Sequence, residues 1–326
     1  MIYVFNNACD VKINIKTTQD FNSGADELEE YLTDMFCKKL KQEIKFCYLS
    51  FDNYVDVVKQ VTDKDMVFNL CDGMDLDGYL GLSLIKELEK QNKKFTGAKA
   101  LFYEISTFKS KTKEYFIKNN VSTARYYTVN LNEDIIEQIK NIDRFPLFVK
   151  PDNYYAGAGL DKNSIIRDLV SLRKQLEKLK ENGFIEIIIE EYIDGEEYTV
   201  LVSDEMVYPP AQRVFNDLPY VLYGDNLCDN YNVKILKEDE ERTKMICDIA
   251  KRAYDAIYGN SYGRVDIRVM NGIPYVLEVN ANPGIGPDTS SLKILRGYEK
   301  QWRATHEETR IEETPEVKFY KNILKL

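Results

Sequence analysis

Between Gly263 and Gly286 the chain alternates apolar and polar residues twice over, and no other stretch restricts the possible folds as tightly. Val265, Ile267 and Val269 interleave with Arg264, Asp266 and Arg268; Tyr275, Leu277 and Val279 interleave with Glu278 and Asn280. A period of two belongs to half-buried strands, and Asn271-Gly272 separates the two runs, so the spacing predicts an antiparallel hairpin. Opposing the two apolar sets requires an even sum of paired positions. A two-residue turn gives an odd sum and sets apolar against polar, so a three-residue loop with Gly272 in the left-handed region is expected. One face then gathers Arg264, Asp266, Arg268, Glu278 and Asn280. Carboxylates and an amide oxygen are what a hard cation such as Mg²⁺ prefers, usually shared with phosphate. The plain alternative is a solvated polar face, which the alternation taken alone favours.

The rest of the composition narrows the function. With 326 residues the chain allows two or three domains and a sizeable core. Its 44 Lys and Arg against 54 Asp and Glu give a net charge of −10, which opposes a phosphate backbone and argues against nucleic acid as a partner. No apolar run approaches the length of a membrane span, and MIYVFNNACDVKINIK lacks the features of a signal peptide. A cytoplasmic protein is therefore expected. Cys9, Cys37, Cys47, Cys71, Cys228 and Cys247 form no CxxC pair and are expected to be reduced, mostly buried thiols. The one histidine, His306 in RATHEETR, cannot support a Ser-His or Cys-His nucleophile system.

Along the chain, IYVF, IKFCYLSF and DMVFNL read as strands separated by helices. Leu28, Tyr31, Leu32, Met35 and Phe36 form one helical stripe, so a parallel βαβαβ layer is predicted. The third strand runs into CDGMDLDGYLG, and ligands of open α/β sheets gather at such strand ends. Lys94 to Thr123 reads as helical and basic. PLFVKP is a strand ending at Lys150, followed by the glycine loop DNYYAGAGL and by a helix striped with Leu169, Leu172, Leu176 and Leu179. Two strands, IEIIIEEYI and EYTVLVS, flank Asp194-Gly195, which turns the chain back so that Glu197 returns near Glu190 and Glu191. This order describes a small α+β lobe. A polar loop is expected over about Pro209 to Asn232, then a helix from about Glu238 to Tyr258.

RVDIRV followed by YVLEVNANPG resembles the metal-binding hairpin of the ATP-grasp superfamily, most closely its D-alanine–D-alanine ligase branch. Four further segments resemble that branch in the right order. FNLCDGMDLDGYLG is similar to its acidic Asp-Gly loop, with Asp72 in place of a histidine. STFKSKTK is similar to its Ser-x-Asp-Lys-x-x-x-Lys helix start, which puts Lys109 at the first nucleotide lysine although Phe108 replaces the aspartate. FVKP puts Lys150 at the second. IEEYIDGEEYTV matches the stretch that reads adenine through its backbone and ribose through an acid, giving Glu190, Glu191, Ile193 and Glu197. The resemblance runs from about Asp65 to Leu292.

The resemblance implies a mixed α/β and α+β chain: an ATP-grasp fold with an N-terminal Rossmann-like domain. The divisions expected are 1–97, 98–195 and 196–326. It implies an ATP-dependent carboxylate–amine ligase that works through an acylphosphate, with ATP and Mg²⁺ (Mn²⁺ as the alternative ion) and amino-acid or peptide substrates; a homodimer is admitted. Asp266, Glu278 and Asn280 would hold the metal, Arg264 would stabilise the transferring phosphoryl or an oxyanion, and Gly157 and Gly159 would form a phosphate lid. Besides Asp72 and Phe108, the sequence departs from the family in four places that bear on substrate. Its N-terminal substrate glutamate is not found in NNACDVKINIK, its serine lid is replaced by YYAGAG, and Tyr223 is kept while Asn226 stands near a family lysine. The charged tail beyond Leu292 also differs. These departures point to a related amino-acid or peptide ligase. An ATP-binding scaffold or regulator with little turnover stays open beside it, and the retained Arg264, Asp266, Glu278 and Asn280 favour catalysis.

Overall fold

The first strand–helix alternation folds as its periodicities dictate. In the structure, a computed structural model that describes residues 1–8, 25–154, 157–216, 219–220, 231–237, 240–287, 289–304 and 314–326, β1 (Ile2–Asn7), β2 (Ile44–Leu49) and β3 (Met66–Asn69) form a parallel sheet of order β2-β1-β3. Helix α1 (Ala25–Thr33) continues as a π-helical segment to Lys39 and buries Leu32, Met35 and Phe36. Helices α2 (Tyr54–Gln60) and α3 (Leu82–Lys90) follow. Gly73 and Gly81 are packed so closely that a β-carbon at either would collide with backbone oxygen, which fixes the loop after β3 against the start of α3.

Helices α4 (Ala100–Thr107) and α5 (Lys109–Lys118) lead into a four-stranded antiparallel sheet of order β4-β7-β5-β6. It comprises β4 (Tyr126–Asn130), β5 (Leu147–Pro151), β6 (Ile165–Ile166) and β7 (Glu186–Glu191). Helices α6 (Ile135–Ile139) and α7 (Leu169–Glu181) cover one face. Asp168 caps α7 by accepting a hydrogen bond from the Ser171 amide. Leu172, Leu176 and Leu179 form its buried stripe. Leu169, the first residue of α7 and expected there too, is 42% exposed.

The third sheet is antiparallel with order β10-β9-β8-β11-β12: β8 (Glu196–Ser203), β9 (Ala211–Phe215), β10 (Tyr231–Ile235), β11 (Tyr262–Met270) and β12 (Ile273–Ala281). Helix α8 (Glu241–Ala256) packs Ile246, Ile249 and Ala253 on the face carrying Val200, Val265 and Ile267. Two expectations are corrected here. The stretch read as a loop over 209–232 contains β9 and β10 at its ends, and 221–230 lies outside the described residues. The strands flanking Asp194-Gly195 belong to different sheets, so that turn carries the chain from one sheet to the other.

The hairpin also forms, by another route. Asn271 and Gly272, at φ 53° and 77°, make a two-residue turn, and Met270 pairs with Ile273. Both central residues are left-handed, the conformation whose twist suits a tight hairpin. The parity conflict is removed by a β-bulge: Ile267 opposes Val276 while Asp266 opposes Glu278, leaving Leu277 as the extra residue. Val276, rather than Tyr275 or Leu277, therefore joins the core. Beyond the bulge Val265 opposes Val279 and Arg264 opposes Asn280, as the alternation requires.

Helices α9 (Ser290–Arg303) and α10 (Pro315–Leu324) close the molecule onto its beginning. Thr314 caps α10 and Pro315 occupies its first turn, where a missing amide hydrogen costs nothing. Its Val317, Phe319, Tyr320 and Ile323 share a core with Phe36 and Phe68. Each such side chain contributes roughly 1.5–3 kcal/mol of burial. Cys71 is buried and Cys37, Cys47 and Cys247 are half-buried, all as free thiols, so the expected burial holds for one of these four. Cys9, Cys228, Tyr223, Asn226 and His306 lie outside the described residues. No described helix is long and apolar enough to cross a membrane.

Candidate active site

A cleft of about 470 Å³ is lined by both antiparallel sheets, the loop after β3 and the segment after β12. Lys109, Lys150, Gly157, Glu190, Glu191, Ile193, Glu197, Arg264, Asp266, Glu278 and Asn280 all line it. Gly159 does not. At φ 77° it turns behind the wall, where a β-carbon would lie 2.7 Å from Pro151, so it shapes the loop without facing the cleft.

The four-stranded wall is rich in lysine. Glu190, next to last in β7, receives Lys113 Nζ on Oε1 and Lys150 Nζ on Oε2, each at 2.8 Å. Burial alone would raise the Glu190 carboxyl, but the two lysines outweigh it and hold it at about 2. For Lys113, fully buried, desolvation wins and its pKa falls; for Lys150 the nearby Glu190 and Glu278 outweigh desolvation and its pKa rises. Lys109 starts α5 and donates to the carbonyls of Asp152 and Tyr154. Desolvation lowers its pKa. Glu191, one residue past Glu190 and so on the opposite side of the strand, pairs with Arg125 at 3.0 Å.

Lys113, the last residue of STFKSKTK, joins this wall without having been among the expected site residues. Its position four residues after Lys109 places both on one helix face. It also donates to Thr123 Oγ1 at 2.6 Å, and Thr123 donates to the Val276 carbonyl at 2.7 Å. The lysine wall is thus fastened to β12 beside its bulge.

The five-stranded wall carries a chain of alternating charge. Glu197 opposes Arg213 on β9 and Arg268 on β11. Arg213 Nη1 donates to Glu197 Oε1 at 2.8 Å and Arg268 Nε to Oε2 at 2.9 Å. Arg213 Nη2 lies 3.5 Å from Asp266 Oδ1, and Arg264 grips both oxygens of Asp266 at 3.2 and 3.0 Å. Burial would raise the Asp266 carboxyl; Arg213 and Arg264 outweigh it and hold it at about 2. Each buried charge carries a desolvation cost of several kcal/mol, so a fold selected for stability alone would not collect Glu197, Arg213, Asp266 and Arg268, all four buried, on one face.

A cation fits this set. Among the described residues no three of His, Cys, Asp and Glu form a metal cluster by themselves. However, Asp266 and Glu278 are direct cross-strand partners, a like-charge opposition that is unfavourable unless a cation joins it. Asn280 Nδ2 lies 3.4 Å from Asp266 and 3.3 Å from Glu278, and turning the amide over presents its oxygen to the same point. Two carboxylates and an amide oxygen are the donors that a hard cation such as Mg²⁺ prefers.

Sequence reasoning missed Arg213 because Ala211 and Arg213 point inward on β9 while Val214 is 44% exposed, the reverse of the usual pattern. It placed Leu277 in the core, whereas the bulge turns it to the cleft. Asp72 also lines the cleft, and desolvation there lifts its carboxyl to about 6.

Comparison with known proteins agrees with this geometry. The family model described as D-ala D-ala ligase C-terminus matches residues 117–296, more than half of the chain. A D-alanine–D-alanine ligase A of Clostridium perfringens is 33% identical over 212 residues, 62% of this chain and 66% of the relative. A D-alanine–D-alanine ligase of Flavobacterium psychrophilum is 31% identical over 170 residues, 48% of each chain. The aligned part therefore spans just under two thirds, or about half, of these relatives' lengths. A solved D-alanine–D-alanine ligase from Bacillus anthracis, complexed with ATP, superposes with a TM-score of 0.69 at 21% identity, covering 99% of this chain and 96% of the other. The two cleft walls, their order along the chain and the extent of the family match together show that the chain belongs to the D-alanine–D-alanine ligase family of the ATP-grasp superfamily.

Proposed function

We propose that this chain is an ATP-dependent ligase that joins the carboxylate of one amino-acid-like substrate to the amine of another, releasing ADP and phosphate. The observation that carries this is the pairing of a lysine wall with an acid-and-amide wall across one cleft: Lys109 and Lys150 opposite Asp266, Glu278 and Asn280. A triphosphate needs cations on its oxygens, and a phosphoryl transfer needs charge stabilised as it moves.

In this reading a substrate carboxylate oxygen attacks the γ-phosphorus and ADP leaves. The amine nitrogen of the second substrate then attacks the acyl carbon, the bond to the phosphate oxygen breaks, and phosphate leaves. Lys109 and Lys150 hold phosphate oxygens, Glu197 accepts from ribose hydroxyls, and Glu190, Glu191 and the backbone near Ile193 border the base. Gly157 lets the loop after β5 approach the phosphates. Asp266, Glu278 and Asn280 would hold Mg²⁺, which supplies charge neutralisation at the transferring oxygens. Arg264, fixed by Asp266, stabilises the phosphoryl group or the oxyanion of the second step. The work divides among 1–97 on the substrate side, 98–195 and 196–326 on the nucleotide side. A reaction that consumes ATP and amino acids fits the cytoplasm.

The test is incubation with ATP, Mg²⁺ and a panel of amino acids and dipeptides that includes D-alanine, reading ADP release and product mass. Amine-dependent ADP release with a condensed product supports the ligase and names its substrates. Tight ATP binding with no ADP release from any member of the panel would replace it with the scaffold reading.

A further inference from the structure

Arg268 points from β11 into the cleft and is 4% exposed, with its guanidinium occupied on every side. Nε donates to Glu197 Oε2 at 2.9 Å, Nη1 to the carbonyl of Ile193 at 3.0 Å, and Nη2 to the carbonyl of Pro219. Its Cζ lies 5.2 Å from the centroid of the Tyr192 ring. These four partners belong to two separate pieces of chain: the passage that leaves β7 at Tyr192 and Ile193 and enters β8 at Glu197, and the segment after β9. The same passage is pressed onto Arg268's strand from above, since a β-carbon at Gly195 would lie 2.2 Å from the Val269 carbonyl oxygen.

We propose that Arg268 is the nucleotide-positioning residue of this cleft. One rigid fork sets the spacing between the backbone edge at Ile193, the carboxylate of Glu197 and the segment at Pro219. The inference rests on the reading above, in which that edge borders the base and Glu197 receives the ribose. A lysine could satisfy one of these acceptors but not three in fixed directions, because only the guanidinium carries its donors in a planar fork. Arg268 belongs to the base-and-ribose end, whereas Asp266, Glu278 and Asn280 on the same hairpin belong to the phosphate end. Its removal therefore weakens nucleotide binding and ribose discrimination more than it slows the chemical steps.

The test compares Arg268→Met and Arg268→Lys with the unaltered protein, measuring equilibrium affinity for ATP and 2′-deoxy-ATP together with KM and kcat. Loss of charge-assisted hydrogen bonds predicts that Arg268→Met raises the dissociation constant and KM for ATP by roughly ten- to a hundredfold. The ATP preference over 2′-deoxy-ATP should shrink, and kcat should fall less than KM rises. Arg268→Lys, which keeps the charge, should lose the preference as well and stands alone if the methionine variant does not fold. A merely structural arginine would lower thermal stability and leave the nucleotide preference unchanged, and that result in either folded variant overturns the proposal. If the unaltered protein binds no ATP, the nucleotide reading falls and this proposal falls with it; if it binds ATP and both variants match it, only the proposal falls.

Discussion

On the four-stranded wall Lys113 and Lys150 close on a single carboxylate, and all three groups are almost out of contact with solvent; on the five-stranded wall Arg213, Arg264 and Arg268 meet Glu197 and Asp266, Glu278 lies across the hairpin from Asp266, and all six line the cleft. The first cluster has more cations than anions and is almost sealed from solvent, with Lys150 and Glu190 at the cleft wall and Lys113 behind them. The second is balanced in charge and open on one side. The difference separates two uses of buried charge. A sealed cluster with surplus cation fixes the wall and leaves it positive, while an open, balanced ladder keeps Glu197 and Asp266 paired at the cleft surface.

The strongest test of that contrast is to injure each wall once. Glu278→Gln removes a negative charge from the open wall and should lower ADP release by about two to three orders of magnitude, as loss of one preorganised charge does at other sites. Thermal unfolding should hardly move, because Glu278 sits on the cleft surface. Near-normal turnover would remove Glu278 from the metal set. Lys113→Met strips one partner from Glu190 in the sealed wall and should cost about 3–5 kcal/mol of stability, read by denaturant titration. Turnover would fall through loss of folded protein. Full stability in that variant would show that Lys150 alone satisfies Glu190.

The acid limb of the stability profile sharpens the comparison further. Glu190 has its folded pKa depressed to about 2 from an ordinary 4.5, so its contribution is present above about pH 4.5 and is lost as pH falls through 2. The shift corresponds to about 3 kcal/mol, and Glu190→Gln should abolish that part of the profile. Asp72 runs the other way. Its folded value, raised to about 6 by desolvation, means that its favourable contribution is present at low pH and lost as pH rises through 6. Asp72→Asn should therefore stabilise the protein at neutral pH relative to pH 4, and an unchanged profile would sink the assignment. The smallest effect expected is at the hairpin tip, where Gly272→Ala, at φ 77°, should cost roughly 1 kcal/mol and leave the nucleotide site untouched.

The same contrast describes what could be read in advance. The hairpin was legible because period-two alternation reports which face is buried, and Asp266, Glu278 and Asn280 followed from it. Its parity was also legible, but the remedy was not: a tight turn and a bulge at Leu277 satisfy the same condition as a longer loop, and sequence does not rank them. β9 was missed because its inward residue is Arg213, whose burial depends on Glu197 and Asp266 being across from it. Lys113 fits an exposed basic helix equally well, and only Glu190 and Thr123 make it a buried cation. The charged tail concealed α10, whose apolar face finds its partners on Phe36 and Phe68 near the chain's beginning.

By itself the sequence determined the local periods, the parallel first layer, the hairpin with its hard-oxygen face, and the ordered motifs of an ATP-grasp chain. Tertiary structure decided which sheet each strand joined, where the bulge fell, and which counter-ion each buried charge received. The physical reason is that alternation and helical stripes encode the burial of a face within a few residues. The pairing of Lys113 with Glu190, or of Arg268 with Glu197 and Ile193, is a long-range electrostatic match, formed only when distant segments exclude water together.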